Sequence, residues 1–210
     1  SSAAASPLAV ESGELVRLTA AGAGLPPLAY TWQILLSGSP IATLPGANVW
    51  WDTKEVRPRT YTAVLHLQNA IGGVDSAPLP LTVNPVQLQG FYTLPPCRVL
   101  DTRSSTPLVA GAGARVIPVS DLACGVPLTA RAISANVTVT QPSGRGEVVI
   151  YPGNYPRPAT SSISFNAGVT RANNQILALA NDGTATVAAE AAIGTGGTVH
   201  LILDVNGYFQ

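Results

Sequence analysis

No window of ten residues in this chain carries the three-to-four spacing of a capped amphipathic helix. Short runs of alternating or continuous apolar residues recur instead, cut by turn residues. ELVRLTA (14–20), LAYTWQI (28–34), YTAVLHLQ (61–68) and LPLTV (79–83) are separated by AGAGLPP, SGSP, PGAN and AIGG, which are turn and breaker clusters. The Ala-rich ATVAAEAAIG (185–194) comes nearest to a helix. It follows the hairpin-type turn NDGT and is closed by GTGG, so it too reads as a strand. The fold class this predicts is all-β. A chain of 210 residues has the material for two tandem β-sandwich domains.

Charge narrows the function classes. Charged residues are 10% of the chain, against about 25% in an ordinary soluble protein, and eleven cations balance eleven anions. No net field exists to draw a nucleic acid or an anionic membrane. Lys54 is the only lysine. A surface this neutral favours association, and the partners expected are further copies of the chain in a homopolymer or other surface components. No apolar run reaches the roughly 18 residues of a membrane span. The chain opens on SSAAASPLAV without an apolar leader, and any export signal is expected to have been removed or left out. That opening segment is uncharged up to Glu11. It is expected to pair as a strand, either within its own domain or on the exposed sheet edge of a neighbouring subunit.

Few residues offer chemistry. CRVLDTR (97–103) holds a cysteine, two arginines and an aspartate. In a strand Asp101 and Arg103 share a face. Asp101 is then either a general base or metal ligand, or one member of a structural polar network of Asp101, Arg103, Arg171 and Asp204. The network reading, two bidentate pairs that fix strand register, is the expected one. Cys97 and Cys124 are either a disulfide or two free thiols, since two isolated cysteines fall short of the four ligands of a zinc site. His66 and His200 stand singly among apolar neighbours, one in each half of the chain, and no nucleophile elbow accompanies them. No catalytic residue, metal site or cofactor is expected. Asn136 heads an acceptor triplet for glycosylation, NVT, but its apolar strand predicts burial. Adjacent Trp50 and Trp51 face opposite ways in a strand, so one should be exposed. With Tyr151 and Tyr155 of YPGNYPRP they are candidate sugar-stacking aromatics, set against plain proline–aromatic packing.

Residues 1–84 carry Tyr30, Thr31 and Trp32 in PPLAYTWQI, WDT at 51–53, and closing strands from Tyr61 in YTAVLHLQNAIGGVDSAPLPLTV. This block resembles the PKD or immunoglobulin-like modules of extracellular proteins, and the resemblance puts Trp32 at the centre of its core. Residues 85–90 read as a linker. Residues 91–210 carry, in order, FYTLPPCRVLDTR, CGVPLTARAISANVTV, GEVVIYP, ISFNAGVTRANNQI and VHLILDVNGYF. They resemble a C-terminal domain of unassigned function that recurs in secreted and surface-exposed bacterial proteins. This second resemblance implies an exported, extracellular or cell-surface protein with a Cys97–Cys124 bond, and implies no activity. The function expected is a non-enzymatic structural or adhesive protein, a self-assembling subunit of a surface filament or layer. The alternative is a carbohydrate-binding accessory module with a polysaccharide partner.

Overall fold

The computed structural model describes residues 2–86, 90–120, 123–194 and 196–210. It divides into two compact units, Ser1–Leu88 and Gln89–Gln210. Of the stretch expected as a linker, residues 87–89 lie outside the described residues.

The first unit contains β1 (Ser2–Ser6), β2 (Ala9–Glu11), β3 (Leu15–Ala21), β4 (Ala29–Leu36), β5 (Ser39–Pro45), β6 (Asn48–Asp52), β7 (Arg59–Gln68), β8 (Gly73–Asp75) and β9 (Leu79–Asn84). A sheet ordered β1-β3-β6 faces one ordered β2-β9-β7-β4-β5, with β8 added on β7. The alternation seen in the sequence sets the faces. In β7, Tyr61, Ala63, Leu65 and Leu67 are buried while their neighbours are not. Tyr61, Ala63 and Leu65 meet Val16, Leu18 and Trp51 of the smaller sheet in one core, where Trp32 is fully buried. Trp51 and Tyr61 contact edge to face, with ring centres 5.4 Å apart.

Of the two pairings expected for the N-terminal segment, the chain forms the one within its own unit. β1 pairs antiparallel with β3 from Ser2–Ala21 to Ser6–Arg17, and β2 pairs parallel with β9. Ala3 and Ala5 pack on the core. The segment is the first strand of its own unit, because small alternate alanines fit a sheet edge that β3 already supplies.

The second unit contains β10 (Phe91–Asp101), β11 (Leu108–Val109), β12 (Arg115–Pro118), β13 (Ala132–Thr140), β14 (Gly146–Pro152), β15 (Ile163–Phe165), β16 (Arg171–Ala178), β17 (Thr186–Ile193) and β18 (Thr198–Phe209). One sheet runs β10-β18-β13-β16 with β11 on β18, and the other runs β12-β17-β14-β15. Ile133, Val137, Leu201 and Leu203 from the first meet Ile117, Val148 and Val187 from the second in a single core. Two facing sheets around one apolar layer make a β-sandwich. The Ala-rich segment is strand β17, buried on both faces at Val187, Ala188 and Ala189. Gly90 and Gln210 exchange backbone hydrogen bonds of 2.9 and 3.1 Å, extending the β10–β18 ladder by one pair.

Candidate functional site

Cys97 and Cys124 are bonded, with Cα atoms 5.5 Å apart. The bridge ties β10 to the loop before β13. Next to it, the polar network differs in membership from the sequence expectation. Arg98 donates from Nε and Nη2 to the two oxygens of Asp204, at 2.8 and 3.1 Å. Its Nη1 reaches Asp101 at 3.2 Å. Asp101 also accepts from the Arg103 backbone N–H at 3.0 Å and from its Nη2 at 2.6 Å. Arg103 does not share a strand face with Asp101. It lies in a 3-10 turn, Thr102–Ser104, that Asp101 caps. Arg171 belongs elsewhere: it opens β16, opposite Val139, and β13 stands between that strand and β18.

These contacts shape the electrostatics. The Arg103 side chain and backbone, then the charges of Arg103 and Arg98, hold the Asp101 carboxyl well below the usual carboxylate range. Hydrogen bonds to Asp204 and Asp101 push the Arg98 and Arg103 guanidinium groups up. His200 donates from Nδ1 to the Thr102 carbonyl at 2.7 Å, and buried Thr102 accepts from Leu201 N–H at 2.8 Å. His200 therefore anchors the turn. His66 sits in the other unit, 2.6 Å from exposed Asp75. Among the described residues no three His, Cys, Asp or Glu side chains converge as a metal site would require.

The network forms one end of a polar row. Strand register sets Arg98 opposite Asp204, Asp204 opposite Asn136, and Asn136 opposite Asn174. The row crosses four strands, about 14 Å at the usual strand spacing. Ala135 and Val137 are buried in the core, so Asn136 between them faces outward. This corrects the expectation that Asn136 is buried: its strand is apolar on one face only. Ser134 and Thr138 flank it on the same face. A shallow depression of about 470 Å³, lined by Arg98, Asn136, Asp204 and Asn206, lies along the row. Farther along the face, Phe91 lies opposite Phe209, which lies opposite Ala132, with the two rings 4.9 Å apart. Phe91 is 50% exposed.

The expected stacking aromatics fare differently. Trp51 is a core residue, and Tyr151 is buried with its hydroxyl donating to Glu190. Both are corrected as sugar contacts. The loop after β14 brings Arg157 back to Glu190 and Glu147, at 3.3 and 3.6 Å, which closes the outer face of the sheet over Tyr151. Burial first, then the Glu190 hydrogen bond, pushes the Tyr151 hydroxyl up to about 12. Trp50 is half-buried with the Arg17 guanidinium 5.8 Å over its ring. Tyr155 is half-buried and accepts from Asn181 at 3.4 Å. Arg98, Asn174, Phe91 and Phe209 escaped the sequence reading. The signal that marks the face was the polar half of the period in ISANVTVT, Ser134-Asn136-Thr138-Thr140.

No family model matches the chain, and no curated protein does. Among solved structures it is similar to one from a study of promiscuous specificity in carbohydrate-binding modules of the β-sandwich superfamily. Identity there is 11%, coverage 98% of this chain and 96% of that one, and the TM-score 0.33. It is also similar to SGBP-B of the Bacteroides ovatus mixed-linkage glucan utilization locus, in complex with a mixed-linkage heptasaccharide. That match has 12% identity, 94% and 51% coverage, and a TM-score of 0.22. Overlaps this low carry no functional argument. No helix among the described residues is long and apolar enough to cross a membrane.

Proposed function

We propose that the protein is an extracellular, non-enzymatic carbohydrate-binding protein whose second unit binds a neutral glycan chain on the outer face of its five-stranded sheet. One observation supports this above others: the outward row Arg98–Asp204–Asn136–Asn174, bounded along the strands by exposed Phe91. Planar amide, carboxylate and guanidinium groups each offer paired donors or acceptors, which suits adjacent sugar hydroxyls. An exposed aromatic offers an apolar surface to the C–H face of a pyranose. The Arg98–Asp204 fork fixes both groups before any ligand arrives, so little rotamer freedom is lost on binding. The disulfide fits an oxidising, extracellular compartment. We read the first unit as a PKD- or immunoglobulin-like spacer, in keeping with the resemblance of its strands.

The test is retardation of the purified protein in native gels cast with dextran, xylan, mannan or β-glucan. At least one should retard it. Asn136→Ala with Asn174→Ala should abolish that retardation at unchanged melting temperature. No retardation on any neutral polysaccharide, or an unaffected double variant, overturns the reading.

A further inference from the structure

We infer that the open edge of the second sandwich, around Arg145 and Arg171, is a recognition site for a sugar carboxylate, so that the protein accepts uronic-acid-bearing glycans. The inference deepens the glycan-binding reading and rests on it, but it uses different residues.

The argument begins with the inward-facing side of β16. Arg171, Asn173, Gln175 and Leu177 alternate on one side, and Leu177 is buried in the core. This row reaches toward the edge of the opposite sheet. Gln175 donates from Nε2 to the Ser162 carbonyl at 2.6 Å, and Asn173 donates to the same oxygen at 3.4 Å. The next side chain in the row, Arg171, closes nothing. It opens on a cavity of about 550 Å³ that it lines together with Arg145, Glu147, Ser164 and Asn166. Two steps of the seam between the sheets are therefore stitched by protein groups, and the third is left to two guanidinium groups.

Those two cations stand out among the arginines of the second unit. Arg98 and Arg103 are held by aspartates, Arg157 by glutamates, and Arg115 by the Thr106 and Pro107 carbonyls. Among the described residues neither the Arg145 nor the Arg171 side chain makes a hydrogen bond or an ion pair. The one carboxylate in the cavity, Glu147, is already shared with Arg157. The cavity thus carries a net positive charge that the protein leaves unbalanced. A guanidinium fork fits a carboxylate through two parallel hydrogen bonds. The Asn166 amide and the Ser164 hydroxyl add uncharged donors and acceptors of the kind that meet ring hydroxyls. A carboxylate attached to a sugar ring satisfies both halves of the lining. A free inorganic anion satisfies only the guanidinium half.

The experiment compares native-gel retardation by polygalacturonate, by its fully methyl-esterified form and by dextran sulfate. Wild type, Arg145→Gln/Arg171→Gln and Asn136→Ala/Asn174→Ala are run in parallel. Wild type is expected to bind polygalacturonate at least about tenfold more tightly than the ester, and the arginine double variant should lose that difference. Binding to neutral polysaccharide by the arginine variant should be unchanged. Equal binding of acid and ester, or a discrimination that survives loss of both arginines, overturns the carboxylate site and leaves the sheet-face reading standing. Dextran sulfate bound as tightly as polygalacturonate, through the same arginines, overturns the assignment to a carboxylate. Acid-specific binding that needs the arginines but not Asn136 and Asn174 supports the edge site, while retardation on neutral polysaccharide, by wild type and by the asparagine variant, decides the sheet face.

Discussion

Arg98 and Asp204, 106 residues apart in sequence, meet through a two-pronged hydrogen bond across β10 and β18. The pair joins the disulfide-tied strand to the centre of the sheet and fixes the register of the whole polar row. Geometry rather than charge should carry its effect. Arg98→Lys keeps the cation but loses the planar fork. It should lower the melting temperature nearly as much as Arg98→Ala, with both losses within about 4 °C because the side chain is half exposed and screened. Circular dichroism melts of the two variants provide the check, and a lysine variant that melts like wild type counts against the claim.

The Cys97–Cys124 bond closes a loop spanning 27 positions. On the chain-entropy account such a bridge contributes about 3–4 kcal/mol by restricting the unfolded chain. Cys97→Ser/Cys124→Ser should lower the unfolding free energy of the second unit by that amount, read as a lower denaturant midpoint, and leave the first unit's transition in place. Thiol titration of the unfolded, unreduced wild type should find no free sulfhydryl.

Tyr151 should ionise well above the ordinary tyrosine value. Its folded value is raised, so its protonated form carries the stabilisation. That contribution is complete below about pH 10, the ordinary tyrosine value, and is lost as pH rises toward about 12. Tyrosinate absorbance should show a late-titrating component that disappears in Tyr151→Phe. A single transition near the ordinary value in wild type contradicts the burial described above.

Much of this molecule was legible as pattern. Period-two alternation marked β7, and turn residues on both sides of ATVAAEAAIG made a strand of an alanine run. The polar network was legible in kind but not in membership. A register irregularity between Arg98 and Leu100 puts Arg98 and Asp101, three apart, within reach of each other, so strict alternation passed over Arg98. Arg171 was assigned by residue type alone, and strand order, a long-range property, placed it on another strand. Tyr151 was read with Tyr155 as a candidate sugar-stacking aromatic of YPGNYPRP, set against proline–aromatic packing. Nothing in the local sequence announces that Arg157 draws a loop back over Tyr151. Phe91 and Phe209 are 118 positions apart and became a pair only through sheet topology.

Gly207 is why Phe91 lies where it does. A Cβ at this position would stand 2.5 Å from Phe91 Cζ and 2.8 Å from the Tyr92 carbonyl oxygen. The ring can swing away but the carbonyl cannot without moving β10. Gly207→Ala should therefore cost about 1–3 kcal/mol, the usual range for overpacking, and should displace the Phe91 ring from the sheet. Denaturant unfolding measures the first effect and weakened glycan retardation the second. An alanine variant with wild-type stability and binding would show that the aromatic end of the face is not built on this close approach.

The N-terminal strand offers the sharpest contrast between two accounts of association. β1 covers the edge of β3 with five paired residues, and Ala3 and Ala5 lie on the core. Deleting residues 1–6 removes that cover and two small apolar contacts, a loss on the order of 1–2 kcal/mol in the first unit. It also bares the backbone groups of β3, a strand with one charged residue, Arg17, and no lysine to blunt an edge. The truncated protein is therefore expected to melt earlier and to associate more than wild type, as read by sedimentation at matched concentration. If the strand instead served a neighbouring subunit, truncation would dissolve assemblies that wild type forms. Sedimentation of the two proteins side by side decides the matter by the direction of the change alone.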